Sequence, residues 1–256
     1  MLRRLDLNSD MGERESAEGL ALDAALLPLI TSVNIACGGH AGSPDLMRRT
    51  ASVAHQHGVA IGAHPGLPDR QTFGREERHI PTDEIRALVR QQVTTCARIM
   101  EAEGFTLRHV KPHGALYSMA ARDEDIADAI VTAVRDLDGS LLLYALAGSV
   151  LARTGEAAGL TVIHEGFADR AYRSNGQLVR RSEAGAVIEQ EDRVRAQLRQ
   201  LLDGSVMTAE GTPISMSIHS LCLHSDTPQA LVLAHLIRKE LEHTGIEVLA
   251  ATHVDR

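Results

Sequence analysis

Two histidines stand where apolar, strand-like runs come to an end: His64 in AIGAHPG and His113 in VKPHG. An imidazole at a strand end is held rigidly enough to ligate a metal or move a proton. Two from different strands, with a carboxylate from a third, make a three-ligand site with an open position. Asp10 in DLNSD is such a carboxylate, so Asp10, His64 and His113 form a candidate set for a divalent metal. A single histidine here could equally cap a loop by hydrogen bonding. His40 and His224, at two further strand ends, weigh toward a shared site.

Other polar residues collect at the same kind of position. Asp6, Asn8, Asp10 and Glu13 crowd oxygens into the end of the first run, where at least one acid must be protonated or neutralised by a metal or lysine, unless the group is a solvated, helix-capping loop. Asp6, flanked by Leu5 and Leu7, is read as facing differently from Asp10. Lys111 has the parity of His113 on a period-2 strand. It could pair with an acid, bind a substrate carboxylate or stabilise negative charge, or form a structural salt bridge. Asp169 and Arg170 in FADRAY place a fork donor beside an acid or base. Cys37 lies near His40 but reads as a packing residue, as does Cys222 among leucines.

Positioning these groups takes six runs, beginning at Leu5, Val33, Val59, Leu107, Thr161 and Leu221, each ending in a polar cluster. Between them lie segments of helical period. Ser43-Pro44 and Thr227-Pro228 read as an N-cap and first helical residue, with ends near Gly58 and Gly245. Thr82 opens another helix that runs to Gly104, and residues 125–136 and 190–202 give two more. Strands apolar on both faces and alternating with helices predict a parallel sheet in an α/β fold. Polar ends on one rim are where such folds build active sites. We read residues 1–256 as one catalytic domain, with 165–189, rich in Arg, Gly and Ser, as a rim loop or lid.

Bulk properties narrow the function. Net charge is −8 and aromatics are 2% with no Trp, so a nucleic-acid partner is disfavoured for want of stacking platforms and positive field. Three scattered cysteines fit neither a disulfide framework nor a Cys-based zinc site. No apolar run is long enough for a membrane span, and no secretory h-region follows the N-terminus, so a cytoplasmic protein is expected. Neither GxxxxGK[ST] nor GxGxxG occurs.

The segments DLNSDMGE, SVNIACGGHAG, HGVAIGAHPGLPDRQTFGR, RHVKPHGALY, FADRAY, SNGQLVRRSEAGAVI and CLHSD together closely resemble the LamB/YcsF family, the A subunit of ATP-hydrolysing 5-oxoprolinase. The resemblance implies a (β/α) barrel of the glycoside hydrolase/deacetylase type, seven-stranded or distorted. It implies opening of 5-oxo-L-proline to L-glutamate with ATP as co-substrate, alongside partner subunits B and C; assembly with further copies of itself is compatible. Three positions depart from the family pattern: Ser225 for Gly, Gly39 for Phe and Met11 for Leu. None removes a polar group.

On this reading Asp10, His40, Lys111, His113 and Asp169 are the candidate catalytic residues. Asp10 and His113 would activate water, aided by a metal shared with His64, while His40 and Asp169 move a proton to the ring nitrogen. Lys111 and Arg170 would grip a carboxylate or phosphoryl group. Asn8, Glu13, Asn34, Arg170, Tyr172, His224 and Asp226 are the expected substrate contacts. Two rivals stay open: an ATP-independent, metal-dependent amidase or deacetylase-like hydrolase, and a non-catalytic substrate-binding subunit.

Overall fold

In the first strand, β1 (Arg4–Met11), Leu5, Leu7 and Met11 enter the main hydrophobic core while Asp6, Asn8 and Asp10 point to the opposite side. A computed structural model describes residues 4–223, 225 and 229–251. After β1 come α1 (Ala17–Leu26), β2 (Ser32–Ala36), α2 (Pro44–Gln56), β3 (Ala60–His64), α3 (Thr82–Ala102) and β4 (Leu107–Val110). Then follow α4 (Gly114–Ala120), α5 (Glu124–Leu137), β5 (Leu142–Leu146), α6 (Val150–Ala157), β6 (Val162–Phe167) and α7 (Glu191–Leu202). The chain closes with β7 (Ser205–Met207), β8 (Pro213–Ser215), β9 (Ser220–Leu223), α8 (Ala230–Thr244) and β10 (Glu247–Val248).

Strands β1 to β6 pair in sequence order, β6 pairs with β9, and β9 returns to β1, all in parallel. The result is a closed seven-stranded parallel barrel wrapped by helices, as the resemblance implied. The short β10 adds to the start of β1, and β7 and β8 form a separate antiparallel hairpin.

Local chemistry accounts for the element ends. The Ser43 hydroxyl accepts the Leu46 amide with Pro44 in the first turn of α2, and Gly245 ends α8 in the left-handed region at φ 71°. The helix expected to open at Thr82 does so, with Pro81 at the cap position, and it ends at Ala102, just short of Gly104. The helices α1, α4 and α6, the strand β5 and the hairpin were not predicted. Thr227-Pro228 lies outside the described residues.

One expectation about the strands is corrected. Their outer faces are apolar, but the barrel interior is not. The Asp6 carboxylate accepts from Thr31 and Ser32 at the start of β2, from Tyr144 of β5 and from Ser220 of β9. Above it Asn34 donates to Asn8 and Asp10, and accepts from His109. Asp6 therefore shares the face of Asp10, as residues four apart on a strand must, and sits deeper. Gly62 makes room for this column: a Cβ there would run into the His109 ring at Nε2.

Candidate active site

At the C-terminal mouth of the barrel the ends of β1 to β4 bring Glu13, His40, His64 and His113 together, with one candidate ligand atom from each within 4.8 Å of the others. Two tautomers are set by backbone carbonyls. His64 Nδ1 donates to Lys111 O at 2.7 Å and His113 Nε2 donates to Phe73 O at 2.8 Å. Each ring, when neutral, must then turn a lone pair inward from its other nitrogen, and those atoms, His64 Nε2 and His113 Nδ1, are 3.0 Å apart. Glu13 Oε1 lies 3.4 Å from His113 Nδ1, 3.9 Å from His64 Nε2 and 3.0 Å from His40 Nε2.

Burial, then the neighbouring His40 and His64, holds His113 well below its ordinary pKa, and burial lowers that of His40 against the pull of Glu13. Facing lone pairs and a carboxylate repel unless a cation lies among them. The set of three imidazoles and one carboxylate suits a divalent ion such as zinc. Backbone carbonyls fixing the far nitrogens are the usual support of metal-binding histidines. The residues thus fit a metal, with Glu13 and His40 joining His64 and His113. Asp10 stands beside this set, its Oδ2 3.3 Å from His64 Nε2.

Phe73 adopts φ 57°, an uncommon left-handed conformation for a non-glycine residue. That turn presents its carbonyl to His113, while its ring packs edge-on against His40 and His113. His40 and His113 are themselves stacked, 3.5 Å between ring centres.

Below the histidines Lys111 is enclosed. Its ammonium lies 2.8 Å from Glu165 Oε1, 3.1 Å from Asp10 Oδ1 and 3.1 Å from Asn8 Oδ1, with Cys222 Sγ also at 3.1 Å. An ammonium has three N–H groups, and three oxygens take them. Burial alone would discharge this lysine; Asp10, then Cys222 and Glu165, overcome it and hold its pKa well above the ordinary lysine value. Lys111 therefore acts on the mouth through Asp10, and any substrate anion would have to displace a partner it already has. Glu165 is wholly buried and also accepts from Asn8 and from the Tyr117 hydroxyl.

A cavity of about 1130 Å³ opens from Asp10, His64, Lys111 and His113 and is walled on one side by residues 177–183. The expected rim loop begins as strand, since residues 165–167 belong to β6; beyond them the backbone is irregular. Arg170 anchors this wall by donating to Val179 O and Ala186 O, and it faces the cavity. Of the other expected contacts, Asn8, Asn34 and Tyr172 are wholly buried, the Tyr172 hydroxyl accepting the Phe167 amide. Glu13 belongs to the histidine centre, and Asp169 is buried beside Arg170. His224 and Asp226 lie outside the described residues. Cys37 is buried and its thiol donates to Ile35 O, in keeping with a packing role.

Sequence reasoning passed over Glu165, Tyr117, His109 and Phe73. The first was findable: Glu165 has the inward parity of its strand, as Lys111 has of its own. The Phe73 contribution is a backbone carbonyl and leaves no mark in residue type.

This is a closed parallel (β/α) barrel with a histidine-rich mouth. Its fold is shared, at TM-score 0.52 and 10% identity over 100% of this chain and 91% of the other, with the catalytic domain of a peptidoglycan N-acetylglucosamine deacetylase from Eubacterium rectale. More particularly, the chain belongs to the LamB/YcsF family, whose pattern matches residues 5–256. It is 47% identical over 248 residues to the 5-oxoprolinase A subunit of Symbiobacterium thermophilum, covering 96% of this chain and 95% of that one. The corresponding protein of Bacillus subtilis is 44% identical over 248 residues, 96% of each. Among solved structures, a lactam utilization protein from Thermus thermophilus aligns with TM-score 0.88 and 40% identity, over 97% of this chain and 100% of that one.

Proposed function

We propose that this chain opens the lactam of 5-oxo-L-proline to L-glutamate, with ATP consumed, as the A component of an assembly with subunits B and C. The observation that carries the reading is the inward-facing pair His64 and His113 beside Asp10, at the mouth of a chain that matches 5-oxoprolinase A subunits over nearly its whole length.

A lactam carbonyl is resonance-stabilised and resists water. Transfer of the γ-phosphoryl group to its oxygen, with ADP leaving, makes the ring carbon electrophilic. Water adds there, the C–N bond breaks as the nitrogen takes a proton, and a second water releases phosphate. To Asp10, paired with the Lys111 ammonium, we assign the proton of the attacking water. Asp169 is the proton donor we assign to the nitrogen; His40, expected in that role from sequence, is turned to the histidine centre, its Nε2 3.0 Å from Glu13 Oε1. Glu13, His40, His64 and His113 would hold a divalent ion, which lowers the pKa of bound water toward 7. Arg170 and the segment it anchors close one side of the site against solvent.

The test is glutamate formation from 5-oxoproline and ATP by the reconstituted complex. His113→Ala should reduce it by more than a hundredfold; activity within tenfold of the unsubstituted complex would sink the assignment. Turnover of an N-acyl amide by the chain alone, without ATP, would instead favour the simple hydrolase, a reading the missing nucleotide cradle keeps in play.

A further inference from the structure

We propose that the outer part of the cavity is a phosphate-recognition wall built from the arginines Arg75, Arg122, Arg173, Arg180 and Arg181. The proposal takes its inner ligand, the lactam, from the reading above, but the wall itself is a claim about anion binding. Three observations carry it.

The first is size. At about 1130 Å³ the cavity exceeds the usual range for small-molecule pockets, and a single five-membered lactam at His64 and His113 leaves most of it to another group. The second is charge. In a chain of net charge −8, five arginines face three glutamates, Glu76, Glu77 and Glu183, across the outer cavity. Their mutual pressure is felt at the anchor: burial, then Arg181, lowers the Arg170 pKa to about 10.

The third is construction. The arginines come from the loop after β3, the turn after α4 and the segment after β6, and acids orient three of them. Glu77 takes Arg122 at 2.6 Å and Arg180 at 3.5 Å, while Glu183 takes Arg173 at 2.5 Å. Arg173 also meets Glu210 at 3.6 Å and Arg122 also donates to Ser118 O. A guanidinium has five donors and a carboxylate engages at most two, so each of these forks still keeps at least one N–H for an anion. The sequence has neither common glycine-rich phosphate loop, and the donors that line the outer cavity in number are these arginine side chains. Arg170, tying the segment down at Val179 and Ala186, keeps the wall in place without contributing its own bonded donors.

The ligand is a phosphoryl group, carried either on a nucleotide or on an activated lactam. Isothermal titration of the isolated full-length chain with sodium pyrophosphate, and separately with ATP, distinguishes the two. Both should bind, and Arg173→Ala/Arg180→Ala should weaken both at least tenfold, while Arg153→Ala, on the outer helix α6, should not. ATP binding at least tenfold tighter than pyrophosphate would support the nucleotide as source, and equal affinity the phosphoryl group alone. Absence of binding by either probe, or double-variant affinity equal to the unsubstituted chain with an unchanged melting temperature, would overturn the wall. Phosphate binding that persists in a complex making no glutamate would refute the lactam reading and leave the wall standing.

Discussion

At Lys111 the charge arithmetic decides what the residue can do. Two carboxylates share one ammonium inside the barrel, so removing the lysine strands both acids. Lys111→Met should cost about 3–5 kcal/mol, the range for breaking a buried ion pair. Adding Glu165→Gln removes one stranded charge, and the double variant should be more stable than the sum of the two single losses. Urea denaturation of the four proteins measures this cycle; strict additivity would show that Lys111 and Glu165 do not depend on each other. Lys111, Asp10 and the two histidines were legible because each is a rare residue type at a strand exit. Their depth was not legible, since period-2 alternation tells direction but not layer. For that reason Asn8 and Asn34, expected as substrate contacts, are wholly buried beneath the mouth, and Glu165 went unnoticed. Gly39, where the family resemblance expects Phe, is also explained at this scale. A Cβ there would stand 2.5 Å from Gly66 O and 2.8 Å from the Gln92 amide, which bonds Gly66 on both its N–H and its C=O.

Among the elements, six of the seven barrel strands announced themselves by polar ends. The seventh, β5, runs into Leu146, Ala147 and Gly148, so the marker that found the others could not find it. The polar interior was hidden for a related reason: strands of four to six residues such as β2 and β6 carry only two or three inward positions, too few to break an apolar impression. The stretch after β1, which carries Glu13 to the histidine centre, is held by Asp23 of α1, whose carboxylate accepts the Gly12 amide. Burial raises the Asp23 pKa to about 6, against the Gly12 N–H and Arg14. The folded state therefore binds this proton more tightly than the unfolded chain. Its stabilising contribution is complete below about pH 4 and is lost as pH rises through about 6, at roughly 1.4 kcal/mol for each tenfold difference in proton affinity between the two states. Asp23→Asn should flatten the stability profile between these limits and gain relative to the native sequence at pH 7. Urea midpoints at both ends of the window check this, and an unchanged pH slope would count against it.

For the molecule as a whole, the histidine centre joins the ends of four consecutive strands, β1 to β4. An ion bound to the folded site and not to the unfolded chain stabilises the entire barrel by mass action. Chelation should therefore lower the melting temperature, and elemental analysis should find about one divalent ion per chain, lost in His64→Ala. A melting temperature indifferent to chelator, with no ion found, would overturn the metal assignment. The barrel also sets an order of assembly. The polar interior is sewn between the two ends of the chain: Ser220 bonds Asp6 across 214 positions and Asn8 across 212. Such distant pairings close late and slowly during folding. The four metal-ligand candidates, by contrast, all lie within the first 113 residues. During synthesis the histidine cluster is thus spelled out while Glu165 and Cys222, which complete the surroundings of Lys111, have yet to leave the ribosome, so the setting of that lysine is withheld until the last barrel strand docks.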